Sequence, residues 1–108
     1  MNGCVFCKIR DRIIPKEFTY EDKDMMVFKD IHPQKPTHLL VVPKQHIDDL
    51  LMMKDKGLMM KLVETTQHMI KKTGLSQKGY RLEVNGGGAQ IIDHFHVHLM
   101  GPMLKGGV

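Results

Sequence analysis

Residues 93–101 read DHFHVHLMG and place His94, His96 and His98 at every second position, using three of the seven histidines in a 108-residue chain. Between them stand Phe95, Val97 and Leu99, so apolar and imidazole side chains alternate. A period of two is the signature of a strand with one face toward a core. Residues two apart share a face of a strand, so the three rings form a row. At about 3.3 Å per residue, the backbones of His94 and His98 lie roughly 13 Å apart. Metal–nitrogen bonds are about 2.1 Å long, too short for one ion to hold both ends. The two ends of the row must therefore do different work.

Upstream, Asn85-Gly86-Gly87-Gly88-Ala89-Gln90 breaks the pattern before the histidine segment. Consecutive glycines let backbone N–H groups approach an anion, and the same run also suits a hairpin turn. "GYRLEVN", residues 79–85, alternates as a strand, and from Lys56 to Thr73 the period becomes helical. Leu58, Leu62, Met69 and Ile70 fall near one stripe, Met59 and Val63 widen it, and Gly74 is a C-terminal stop. "THLLVVPK", residues 37–44, is a strand between Pro36 and Pro43. "EFTYED" and "MMVFKD" read as two short strands joined by an acidic turn, residues 4–10 as a short helix or turn, and "DDLLMMKD" as a short helix or turn. The expected fold class is α+β, an antiparallel sheet with one long and one short helix, in a single domain spanning residues 1–108.

Composition is ordinary for a globular chain, 42% hydrophobic and 26% charged. The longest aliphatic run, Leu39-Leu40-Val41-Val42, is far short of a membrane span. No apolar leader is visible at the N-terminus, so a cytoplasmic location is expected. The net charge of +4 favours anionic ligands. The basic residues are scattered, Trp is absent and there are two Tyr, which argues against a nucleic-acid groove and for a small phosphorylated ligand.

The two cysteines form Cys4-Val5-Phe6-Cys7. In a chain without an export signal a structural disulfide is disfavoured. The spacing permits joint binding of zinc, a redox pair, or inert thiols; zinc is the expected use, because histidines are available to complete the site. Together with the glycine run, the histidine row points to chemistry at phosphorus. A neutral imidazole can attack phosphorus through one nitrogen while the other donates to a fixed acceptor, and a second imidazole can protonate the leaving group.

"HFHVHLM", residues 94–100, resembles the histidine triad signature. "VFKDIHPQKPTHLLVVPKQHI", residues 27–47, is similar to the corresponding run of the nucleotide-binding, purine nucleoside phosphoramidase branch of that family, and "FCKIRDRIIP" and "GYRLEVN" extend the likeness over most of the chain. The resemblance implies a sheet of about five strands, and a homodimer whose two sheets join into one continuous sheet. It also implies a hydrolase that cleaves nucleoside 5′-phosphoramidates or related nucleotidyl compounds at the α-phosphorus. In that reading His96 is the nucleophile, His98 contacts the phosphate or leaving group, and His38 supports the nucleophile. Asp30 holds the ribose, while Ile31, Phe28, Phe6 and Ile9 line the base pocket. Asn85, Gly88, Ala89 and Gln90 lie around the phosphate. One structural zinc per chain is held by Cys4, Cys7, His46 and His94, which gives each end of the row its own task. The chain departs from the branch at Ile91, where a serine is common, and its glycine loop is shorter than in animal members. His32 and His68 match no family role. Two alternatives stand beside this reading: a dinucleoside polyphosphate hydrolase, and a non-catalytic, zinc-stabilised nucleotide-binding protein.

Overall fold

The structure, a computed structural model, describes residues 3–106. Strands β1 (Tyr20–Glu21), β2 (Met25–Lys29), β3 (Thr37–Pro43), β4 (Arg81–Glu83) and β5 (Val97–Gly101) form one antiparallel sheet in the order β1-β2-β3-β5-β4. Helix α1 (Val5–Arg10) lies against one face and α2 (Lys56–Lys72) against the other. Short 3₁₀ turns at Leu50–Met52 and Leu75–Gln77 flank α2; the second has no counterpart in the sequence-based expectation.

Strand alternation decides which side chains meet which helix. Met25, Val27, Leu39, Val41, Val97 and Leu99 point toward α2 and pack with Leu58, Leu62, Met69 and Ile70. Met26, Phe28, Leu40 and Val42 point the other way and pack with Phe6 and Ile9 of α1. Each such side chain, fully buried, contributes about 1.5–3 kcal/mol relative to exposure. Both faces of β2 and β3 are therefore apolar, which explains their unbroken hydrophobic runs.

Helix α2 begins where the Asp55 carboxylate accepts the Leu58 N–H at 3.1 Å, and Gly74, at φ +77°, lets the chain leave after Lys72. Three expected strands are shorter than the sequence suggested: of "EFTYED" only Tyr20–Glu21 is in the ladder. "GYRLEVN" keeps only Arg81–Glu83 in the ladder, and the histidine strand starts at Val97. His94, Phe95 and His96 run just ahead of it, anchored where the Phe95 N–H donates to the Ile47 carbonyl at 2.6 Å.

Gly79 has φ +83°, and a Cβ there would lie 2.2 Å from the Met103 carbonyl oxygen. Gly79→Ala is expected to cost about 2 kcal/mol or more, lowering Tm by roughly 10 °C, as a melting curve would record. An unchanged Tm would contradict the close approach of these two backbone segments.

Candidate active site and metal centre

The β2–β3–β5–β4 register builds the floor of a cavity. Phe28 pairs with Leu40, Leu40 with His98, and His98 with Glu83, so these four side chains cross the sheet in one row. The row runs from apolar to polar and underlies a cavity of about 300 Å³. Phe6 and Ile9 of α1, with Ile92, wall the apolar end; Asn85, His96 and His98 lie at the polar end. Asp30, Ile31, His32 and Gln34, from the β2–β3 connection, close a further side.

Hydrogen bonding sets the proton on each ring. His96 is buried, and its Nδ1–H donates to the His94 carbonyl at 2.8 Å. That leaves its Nε2 with the lone pair. Among the described residues no buried side-chain nitrogen or oxygen lacks a partner, and none pairs with this Nε2, so it is open to the cavity. Phe6 meets the ring edge-on at 5.1 Å between centroids and restricts its rotation. The nearest ring in the row, His98, lies 5.0 Å away.

His38 approaches the row differently from the sequence-based expectation. The register sets His38 opposite Met100 and diagonal to His98, so its ring reaches His98 rather than His96. Its Nδ1 accepts the Gln34 N–H at 3.1 Å, so the proton sits on Nε2, which donates to His98 Nδ1 at 2.9 Å. His98 then carries its own proton on Nε2. The Asp30 carboxylate stands beside this pair, 3.3 Å from His38 Nε2 and 3.7 Å from His98 Nδ1, and is itself held by the His32 N–H at 2.8 Å.

Burial, then the nearby His96 and His38, pushes the His98 pKa below the usual imidazole value. A depressed folded-state pKa means that folding favours the neutral ring. This group's contribution to stability is complete above about pH 6.5 and is lost as pH falls through the folded-state value. His98→Asn is therefore expected to flatten the acid side of the Tm–pH profile below about pH 6.5. A profile as steep as that of the parent protein would contradict the assignment.

A second cluster lies at the other end of the row. Cys4, Cys7, His46 and His94 bring one ligand atom each within 4.8 Å of all the others. Cys4 is the N-cap of α1, where its sulfur accepts the Cys7 N–H at 3.3 Å, so the Cys-x-x-Cys spacing turns both sulfurs to the same side. His46 Nδ1 is 3.2 Å from Cys7 Sγ, and His94 Nδ1 is 3.4 Å from Cys4 Sγ and 3.6 Å from Cys7 Sγ. Sulfur and nitrogen ligands of one tetrahedral zinc stand about 3.6 Å apart, given bonds of about 2.3 and 2.1 Å. The opposite ring nitrogens are also committed: His94 Nε2–H donates to the Pro43 carbonyl at 2.7 Å, and His46 Nε2–H donates to Asp48. That pattern aims both Nδ1 lone pairs at the sulfurs, as metal-binding imidazoles require. Burial first, then the nearby His46 and the Arg10 guanidinium, pushes the His94 pKa down to about 4, which keeps this lone pair unprotonated at neutral pH. The donor set and its supports fit zinc.

The glycine loop holds itself rather than the cavity. The N–H groups of Gly87, Gly88 and Ala89 donate to Asp49, to the Gln90 side chain and to the Gly86 carbonyl, at 2.7, 3.0 and 3.1 Å. Gln90 also donates to the Asp48 carbonyl at 3.1 Å. Gly88, Ala89 and Gln90 thus stand outside the cavity lining, whereas Asn85 belongs to it. The sequence reading passed over Lys16, Gln34 and Glu83, which border the cavity, and Asp48 behind His46. Glu83 could have been found, because it shares a strand face with Asn85 two residues on. Lys16 and Gln34 carry no local signal.

A family model described as "Scavenger mRNA decapping enzyme C-term binding" matches residues 3–108. The chain is 39% identical over 105 residues to Protein HitA of Neisseria gonorrhoeae, covering 94% of this chain and 97% of that protein. A HIT family hydrolase from Legionella pneumophila Philadelphia 1 superposes with a TM-score of 0.88 at 40% identity, covering 94% of this chain and 95% of that one. A zinc-bound histidine triad family protein from Mycobacterium smegmatis superposes with a TM-score of 0.81 at 29% identity, covering 94% and 76% of the respective chains. With the whole described fold and its row of rings accounted for in this way, the chain belongs to the histidine triad family.

Proposed function

We propose that the protein is a nucleotide-binding hydrolase that cleaves purine nucleoside 5′-phosphoramidates or related nucleotidyl compounds at the α-phosphorus. The observation that carries this reading is the pair of adjacent rings with opposite roles. His96 has its Nδ1–H tied to the His94 carbonyl and its Nε2 lone pair in the cavity, and His98 stands beside it with Nε2 free to hold a proton. Solved relatives that are hydrolases support it.

In the first step His96 Nε2 attacks phosphorus and the phosphorus–nitrogen bond to the leaving amine breaks. An anionic substrate favours protonation of His98, and the Asp30 carboxylate, 3.3 Å from His38 Nε2 and 3.7 Å from His98 Nδ1, is then the acceptor for both N–H groups, which no longer bond to each other. The protonated ring delivers its Nε2 proton to the departing amine, whose nitrogen keeps the bonding pair. In the second step His98 takes a proton from water as the oxygen attacks phosphorus. The bond to His96 breaks, and the nucleoside monophosphate leaves. His38 is a positioning residue, because in the resting site its hydrogen bond fixes which nitrogen of His98 faces the substrate. The Asp30 carboxylate lines the cavity and, since each oxygen can accept more than one hydrogen bond, has capacity left for ribose hydroxyls, and Phe6, Ile9, Phe28 and Ile31 offer an apolar slot for the base. Asn85 stands near the phosphate; Gly88, Ala89 and Gln90 would join it only by a change in the loop's internal hydrogen bonds.

Zinc at Cys4, Cys7, His46 and His94 has a structural role in this reading, since four protein ligands leave no position for water. The zinc-bound relative supports it. A pair of thiols kept for a metal also suits the cytoplasm.

Turnover of an adenosine 5′-phosphoramidate compared with a dinucleoside tetraphosphate, by chromatography of the nucleotide products, tests the reaction. Faster cleavage of the phosphoramidate is expected. Faster cleavage of the dinucleotide would move the protein to the polyphosphate branch, and nucleotide binding without cleavage of either would make it a binding protein.

The active form in this reading is a homodimer. Strand β4 is an edge of the sheet; its Leu82 and the flanking Tyr80 and Val84 are exposed, as are Met59, Met60 and Val63 of α2. A two-fold mate at this edge would cover both sets and pair the open strand. Light scattering at micromolar concentration is expected to give twice the chain mass of 12.4 kDa. A monomer under those conditions would refute the pairing.

A further inference from the structure

Lys16 stands where none of the reaction chemistry requires a charge. It precedes β1, is half-buried, and borders the cavity with its Nζ 5.4 Å from the centre of the Phe28 ring. Phe28 occupies the apolar end of the floor row, two strands away from His98. With strands about 4.8 Å apart, that places Phe28, over whose ring Lys16 stands, roughly 10 Å from His98. An ammonium over that ring stands at the apolar, base end of the slot. No carboxylate forms an ion pair with Lys16 among the described residues. Its ammonium instead faces the Phe28 ring. Lys29 also borders the cavity, yet alternation turns it from Phe28's face, and it lines a separate cavity beside Thr19 and Thr73.

We propose that Lys16 is a base-specificity residue, donating to the ring-edge acceptors of a 6-oxopurine and so favouring guanine and hypoxanthine over adenine. The proposal rests on the nucleotide-hydrolase reading above and deepens it. A guanine edge presents O6 and N7, two acceptors side by side, whereas adenine pairs the N7 acceptor with an N6 amino donor. A lysine has three donors and no acceptor, so it complements the first pattern and meets the adenine amino group donor to donor. The surrounding walls, Phe6, Ile9, Phe28 and Ile92, supply stacking and apolar contact but no hydrogen bonds from their side chains. At the Phe28 end of the slot Lys16 then supplies a side-chain donor that can tell one purine from another. Because the ammonium lies beside an aromatic face in a partly dry cleft, its hydrogen bond discriminates more strongly there than at an open surface.

The test uses the full chain loaded with zinc and measures kcat/KM for guanosine, inosine and adenosine 5′-phosphoramidates, in the parent protein and in Lys16→Met and Lys16→Arg. Guanosine and inosine compounds are expected to exceed the adenosine compound by about tenfold in the parent. Lys16→Met should remove most of that ratio by slowing the 6-oxopurines, with the adenosine compound nearly unchanged, and Lys16→Arg should retain it. A general loss of packing would slow all three alike. A parent that prefers adenosine, or a ratio unchanged by Lys16→Met, would overturn the assignment. If none of the three is turned over, the hydrolase reading fails separately. The base preference is then read by calorimetry with the three nucleoside monophosphates, where the same ratio and the same loss in Lys16→Met are required.

Discussion

His96→Asn is expected to lower turnover of a nucleoside phosphoramidate at least about a thousandfold, roughly 4 kcal/mol of transition-state stabilisation, while leaving the fold and metal content intact. The amide is smaller than the imidazole and can still donate to the His94 carbonyl that the ring now holds at 2.8 Å. What it lacks is a nucleophilic nitrogen on the cavity side. Binding of a nucleoside monophosphate should survive, because the apolar slot of Phe6, Ile9 and Phe28 and the carboxylate of Asp30 are untouched. The loss should therefore appear in kcat rather than in affinity. His98→Asn is expected to slow the reaction too, yet a quenched reaction of that variant should still trap the nucleotide on His96. Near-normal turnover in His96→Asn, or a trapped nucleotide on His98, would reverse the roles given to the two rings.

Removal of the metal is expected to have the largest effect on stability. Protein purified without chelator should contain about one zinc per chain, and a strong chelator, or Cys7→Ser, should lower Tm by at least about 10 °C, corresponding to about 2 kcal/mol. The physical reason is the connectivity of the ligands. Cys4 and His94 are 90 residues apart, and Cys7 and His46 are 39 apart, so one ion ties α1 to the end of β3 and to the start of the histidine segment. Closing long loops is where a cross-link constrains the unfolded chain most. Cys7 is also buried, so a serine there leaves a hydroxyl where a thiolate belongs. Less than about half an equivalent of zinc, or a melting temperature indifferent to chelation, would remove the metal from the account.

The alternation His94-Phe95-His96-Val97-His98-Leu99 was legible because a strand's two faces follow directly from a period of two. Phe95, Val97 and Leu99 do enter the core beneath α2, and the three rings do share the opposite side. The long helix was legible for a similar reason, since its stripe repeats over four turns and ends at a glycine in the left-handed region. The ladder limits of β4 and β5 were less so, because hydrogen bonding to a neighbour, which alternation does not encode, decides where a strand ends.

By itself the sequence determined the two-faced histidine segment, the Cys-x-x-Cys turn and the order of strands and helices, all of which depend on residues close together in the chain. The tertiary structure alone decided the partners. Only the β3–β5 register put His38 on His98 rather than on His96. Only the fold brought Asp49 into the glycine loop, 38 residues away, where it takes the Gly87 N–H that an anion would otherwise have met. Lys16 joined Phe28 in the same way, through the path of the chain before β1. A proton's position on an imidazole depends on which partner sits within about 3 Å, and for His94 and His98 that partner, Pro43 or His38, lies 51 or 60 residues away on β3.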